Sequence, residues 1–218
     1  SYPTSMARYT GPRERIERRL GERLGLKGER SNSPKAALVR RPYAPGQHGP
    51  NKRPKKLSEF GTQLKSKQKV RHMYRLMEKP FKDYVKAALE NKKDSPYVSV
   101  VRALEMRLDN VAYRMGFAQS RDQARQIVGH GHIMVNGKRA KTPSYRVRVG
   151  DKVAVRDRSR ALPFFSQLMP KWFAEVATPG WVEMDKAALQ GTVKGAPSAE
   201  ESGIQATDLQ AIIEYYSR

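Results

Sequence analysis

Leu104-Glu-Met-Arg-Leu-Asp-Asn-Val-Ala-Tyr-Arg-Met-Gly-Phe-Ala118, then Ser120-Arg-Asp-Gln-Ala-Arg-Gln-Ile-Val128, then Ile133-Met-Val-Asn-Gly-Lys138, are the stretches that decide the fold of this chain. Just upstream, Ser95 and Pro96 suit an N-cap and a first helical position. Val101, Leu104, Leu108, Val111, Ala112 and Met115 recur at helical spacing and predict one helix that ends at Gly116, where a left-handed cap favours glycine. Ser120 with Gln123 three residues on forms a capping box and opens a second helix, whose apolar face is Ala124, Ile127 and Val128. Ile133–Val135 reads as a short strand, and Asn136-Gly137 as the favoured two-residue hairpin turn, because both positions need positive φ. Val147, Val149, Val153 and Val155 alternate about Gly150-Asp151 and predict two more strands. The order is helix, helix, then three to five small strands, within residues 97–160.

Working outward, Ser58 can cap a helix running to about Met77. After Pro80, Phe81, Tyr84, Val85, Ala88 and Leu89 form the core stripe of another. Residues 1–56 are broken by Gly11-Pro12, Pro34, Pro42, Pro45-Gly46 and Gly49-Pro50, so they read as an extended basic arm. Within it only Arg13–Leu24 suggests a turn or two of helix, through Ile16, Leu20 and Leu24. Residues 161–218 hold Phe164, Phe165, Trp172, Phe173 and Trp181, then a Gly/Ser/Ala/Glu-rich stretch at 190–203 that reads as a loop. A final apolar run at 209–216 fits a strand or a short helix. The expected class is α+β: a mostly helical first domain (57–96 with 161–218), an inserted helix-helix-β module (97–160) and the basic arm (1–56).

Charge points to the partner. The chain has 43 Lys and Arg against 21 Asp and Glu, a net +22. Residues 1–96 carry +16, residues 97–160 carry +9 and residues 161–218 carry −3. Such a charge opposes compaction unless a polyanion neutralises it. There is no cysteine, so disulfides and thiolate metal ligands are excluded. No apolar run approaches the ~20 residues that span a bilayer, and the N-terminus lacks a signal peptide's apolar core, so no membrane partner and a cytoplasmic setting are expected.

The candidate RNA-binding residues follow from these patterns. Arg121 and Arg125 are four apart on one helix face, with Ser120 and Arg121 at its N-terminal turn, where free N–H groups favour phosphate. Arg114, His130, Lys138 and Arg139 extend the same surface, and Lys69 and Arg71 lie on the helix capped by Ser58. In the arm, Arg8, Arg40, Arg41, Lys52 and Arg53 supply charge, while Tyr43 and His48 can stack on bases. The competing reading pairs the central arginines with Glu105, Asp109 and Asp122 on their own surface. His130-Gly-His132 lacks further metal ligands, and no Gly-rich phosphate loop or nucleophile–base pair is present, so neither a cofactor nor an enzyme is expected.

The opening stretches, with Arg8-Tyr-Thr-Gly-Pro12, Arg41-Pro-Tyr-Ala-Pro-Gly-Gln-His-Gly49, Ser58-Glu-Phe-Gly-Thr-Gln-Leu64 and Glu214-Tyr-Tyr-Ser-Arg218, resemble the bacterial small-subunit ribosomal protein S-four family. The resemblance runs over nearly the whole chain. It implies an early-binding protein of the 5′ domain of small-subunit rRNA that nucleates assembly of the subunit body. It also implies contact with mRNA where it enters the ribosome, and with neighbouring small-subunit proteins including S-five, an interface that affects decoding fidelity. Many members hold zinc on four cysteines of the arm; at those places stand Glu14, Glu17, Ser31 and Ala36, which implies a zinc-free arm ordered by RNA. An RNA-modifying enzyme with this module as an accessory would need a further catalytic domain, for which the sequence leaves no room.

Overall fold

In a computed structural model, residues 9–51 and 56–217 are described. Arg8, Lys52 and Arg53 lie outside them. The chain divides into two compact units, 1–97 with 204–218, and 98–203.

In the first unit, α1 (Arg13–Leu20) is closed by Gly21 in the left-handed region, and two single-turn helices follow, α2 (Glu29–Asn32) and α3 (Ala37–Arg40). The expected extended arm therefore carries local structure. Ile16, Leu20 and Leu26 form a small core of their own. What stabilises the turn beyond α1 is the buried Glu17 carboxylate, whose Oε1 accepts the N–H groups of Leu24 (2.9 Å) and Leu26 (3.3 Å). Glu14 Oε1 accepts from Ala37 N at 3.1 Å, joining α1 to α3.

Ser58 caps α4 (Glu59–Met73) by accepting from Gly61 N, and α5 (Glu78–Glu90) buries Phe81, Val85 and Ala88. The terminal apolar run resolves as helix α12 (Ala206–Ser217), which buries Leu209 and Ile212. Charged groups tie these helices together. Lys67 Nζ lies 2.6 Å from Glu78 Oε1, and Tyr216 donates to that same oxygen at 2.8 Å. Burial and this bond to Glu78 hold the Tyr216 phenol above its usual range.

In the second unit the predicted single helix is two. α6 (Pro96–Glu105) stops, Arg107 is extended, and α7 (Leu108–Arg114) begins. The break is imposed from outside the helix: Arg107 bridges to Arg146 in antiparallel register, and Val147 N donates to Met106 O at 2.8 Å. α8 (Arg121–Gly129) starts at the Ser120 cap. β1 (Ile133–Val135) and β2 (Lys138–Ala140) are joined by Asn136 and Gly137, both at positive φ. Only one of the two further strands forms, β3 (Lys152–Val155), since 147–149 is committed to the bridge region beside Met106 and Arg107.

The segment expected to return to the first unit stays in the second until residue 203. A short helix α9 (Asp157–Arg160), a π-helical turn (Phe164–Leu168) and α10 (Pro170–Phe173) lead to β4 (Val182–Asp185) and β5 (Gln190–Val193). The sheet order is β2-β1-β3-β5-β4, antiparallel throughout. Residues 190–203 are thus a strand and the short helix α11 (Ala199–Ser202), where a loop was expected. The aromatic residues explain the change of boundary. Phe173 stacks on Phe117 at 5.9 Å, and Trp172 Nε1 donates to Gly116 O at 3.0 Å. Phe165, Trp181 and Val193 complete a core with Leu108, Val128 and Ile133.

Candidate nucleic-acid interface

The central arginines do not share one fate. Glu105 sits on the face of α6 with no solvent exposure, and Arg114 grips it through two bonds, Nη2–Oε1 at 2.7 Å and Nε–Oε2 at 2.9 Å. Asn110 Nδ2 donates to Glu105 Oε2 at 2.8 Å, and Arg121 Nε donates to Asn110 Oδ1 at 2.8 Å. Arg121 also lies over the Tyr113 ring at 4.7 Å and is only 9% exposed. Beside this cluster, Arg107 and Asp109 pair at 2.6 Å, with Arg125 3.7 Å from the same carboxylate. A buried carboxylate attracts guanidinium groups strongly because both are withdrawn from water. Arg114 and Arg121 therefore face inward, and the Ser120 hydroxyl is spent as a cap. Of the helix face chosen from sequence, Arg125 is the more open at 28%.

The hairpin and the loop after it present exposed cations. Lys138 is exposed, and so are Lys141, Arg146 and Arg148, which sequence reasoning passed over. None of these four has a carboxylate partner among the described residues. Their signal was present in the alternation Arg146-Val-Arg148-Val, which sends the cations away from Val147. Arg139 is exposed but folds its guanidinium onto the carbonyls of Gly131 and His130 (both 3.0 Å), where a cation stabilises the end of α8. His130 is exposed beside it. A Cβ at Gly131 would collide with that guanidinium.

In the first unit Lys69 also turns inward, to Glu22 (2.6 Å) and Asp208 (2.8 Å). Burial opposes its charge, but the two carboxylates outweigh that and leave its pKa raised. Arg71 bonds Gln68 Oε1 at 2.8 Å and approaches Glu78. Arg40, Arg41 and His48 are exposed, and Tyr43 is half-buried beneath Arg18, whose guanidinium is 5.0 Å from the ring. Arg15 and Arg19 on α1 are exposed cations that sequence reasoning did not single out. His72 is held neutral at pH 7, its pKa lowered to about 4 by burial and by Arg71, Arg75 and Arg19.

The four places that bear cysteines in zinc-holding relatives do not suit a metal here. The Glu17 and Glu14 carboxylates are occupied by backbone N–H groups, Ser31 Oγ accepts from Lys27 N at 2.9 Å, and Ala36 has no donor. Among the described residues no three His, Asp or Glu side chains gather as metal ligands.

Two family models match in tandem: the ribosomal protein S4/S9 N-terminal domain over residues 8–105 and the S4 domain over 106–153. Small ribosomal subunit protein uS4 of Kosmotoga olearia is 47% identical over 98% of this chain and all of its own length. The Natranaerobius thermophilus protein of the same name is 48% identical, and that of Thermotoga maritima 46%, with the same coverage. The chain belongs to the uS4 family. That family comprises structural, non-enzymatic ribosomal proteins, and the S4 domain of this member is the part that holds α7, α8 and the β1–β2 hairpin. Among the described residues no helix is long and apolar enough to cross a membrane.

Proposed function

We propose that the chain is a structural component of the small ribosomal subunit that binds rRNA of the 5′ domain and nucleates assembly of the subunit body. The observation that carries this is that each unit bears exposed cations with no carboxylate partner among the described residues, including Arg15, Arg19, Arg40 and Arg41 on one and Lys138, Lys141, Arg146 and Arg148 on the other. Phosphate contacts of this kind fix position on a folded RNA without reading sequence, which suits a protein that recognises shape.

The finer roles extend the same reading. Contact with mRNA where it enters the ribosome, and an interface with S-five that tunes fidelity, are supported by the family resemblance. The exposed acidic side chains Glu175, Asp185 and Glu200 suit a protein neighbour better than RNA. The test is a filter-binding titration with a transcript of the 5′ domain. Six to ten phosphate contacts should lose roughly 10³–10⁵ in affinity between 50 and 200 mM salt. A flat salt response, or failure to co-sediment with small subunits, would count decisively against rRNA as the partner.

A further inference from the structure

The first unit contains a groove of about 1080 Å³ bounded by α1, the 42–50 turn and α4. Three of its properties point to one kind of ligand. Its rim carries Arg15 and Arg19, four residues apart on α1, with Lys65 opposite on α4 and 3.6 Å from Glu22, and no Asp or Glu is among the described lining residues. Its walls carry two aromatic rings: Tyr9, edge-on to His72 at 6.2 Å, and Tyr43. Its mouth leaves apolar surface in water, since Leu57 is 54% exposed and Met77 37%. The wall bearing Tyr43 is fixed in advance, because Arg18 donates to the carbonyls of Arg41 (3.2 Å) and Tyr43 (3.1 Å) while covering the ring.

A cationic rim with an aromatic and apolar interior matches a polymer whose every unit joins an anion to a flat ring. Single-stranded nucleic acid is such a polymer, and a duplex is not, because its bases are stacked away from the protein. The volume exceeds the roughly 300–1,000 Å³ of ordinary ligand pockets. We propose that this groove takes unstacked nucleotides of a single-stranded rRNA segment, with phosphates on Arg15 and Arg19 and a base against Tyr9 or Tyr43. The inference rests on the rRNA-binding reading above and adds to it a site for bases within the first unit.

The experiment uses the full chain and a 5′-domain transcript substituted with thiouridine, irradiated and mapped by mass spectrometry. Cross-links are expected in the peptides bearing Tyr9 and Tyr43. Arg15→Glu with Arg19→Glu should lower affinity for the transcript at least about tenfold, and Tyr9→Leu at least about fivefold, the lower range for one stacked base. Circular dichroism reports whether each variant is folded, and Arg15→Gln with Arg19→Gln gives a milder second pair. Tight binding by wild type with cross-links only elsewhere, and affinity unchanged in the Gln pair, would overturn the groove and leave the rRNA reading standing. No binding by wild type would sink both.

Discussion

Replacing Glu105 by alanine separates arginines that hold the fold from those proposed to meet RNA. The carboxylate has no solvent exposure and serves Arg114 twice and Asn110 once, at 2.7–2.9 Å. Removing one partner of a buried ion pair typically costs about 3–5 kcal/mol, because the other charge stays behind without compensation. Arg114 keeps 19% of its side chain in water, so the lower figure applies, about 3 kcal/mol. For a unit of this size each kcal/mol shifts the melting point by about 4 °C, giving a drop of about 12 °C. Differential scanning calorimetry and urea unfolding measure it. Glu105→Met with Arg114→Met and Arg121→Met should recover most of the loss, since apolar replacement of a whole buried cluster is commonly neutral or better. If Glu105→Ala melts within about 1 kcal/mol of wild type, water must reach the cluster, and Arg114 and Arg121 return as RNA contacts.

Three further outcomes follow from the same contacts. Lys138→Ala, Arg146→Ala and Arg148→Ala should leave melting unchanged and each reduce the salt slope of rRNA binding by about one, read from titrations at several salt concentrations. Glu17→Ala strands the N–H groups of Leu24 and Leu26 and should cost about 2–4 kcal/mol locally; faster amide exchange at these two residues is the readout, and unchanged exchange would refute it. For His72 the folded pKa, about 4, lies below the ordinary 6.5, so the unfolded chain binds the proton first. Its contribution to stability is full above pH 6.5 and is lost as pH falls towards 4. His72→Gln should flatten that part of the stability–pH curve.

Elements announced by neighbouring residues were legible in the sequence. Ser58 and Ser120 cap their helices, Gly116 ends α7, and Asn136-Gly137 makes the hairpin, because each signal acts within four residues. Distant partners erased other signals. The apolar stripe of α6 and α7 continues without interruption through Leu104 and Leu108, yet the helix breaks because Arg107 is held by Arg146, far along the chain. The break in the chain's return at residue 203 was hidden for the same reason: what keeps 163–193 in the second unit is Phe117 and Gly116, seen only once the aromatic residues find them.

The interface shows how charge is partitioned. Composition pointed to arginine and to one helix face, but it counted every arginine as available. A carboxylate on the buried side of a helix draws nearby guanidinium groups inward, since solvation no longer competes for them. Glu105 and Asp109 stand one position after Leu104 and Leu108, at the margin of the apolar stripe, and that spacing is the sequence signature of arginines turned away from solvent. Arg146 and Arg148 lack such a neighbour among the described residues and remain exposed. On α1 the comparable Glu17, one position after Ile16, is taken up by the backbone N–H groups of Leu24 and Leu26 and leaves Arg15 and Arg19 exposed. In a chain of net +22 the few acids thus sort the cations, so Glu105→Ala should lower stability through Arg114 and Arg121 while the salt slope of RNA binding assigned to Lys138, Arg146 and Arg148 is kept.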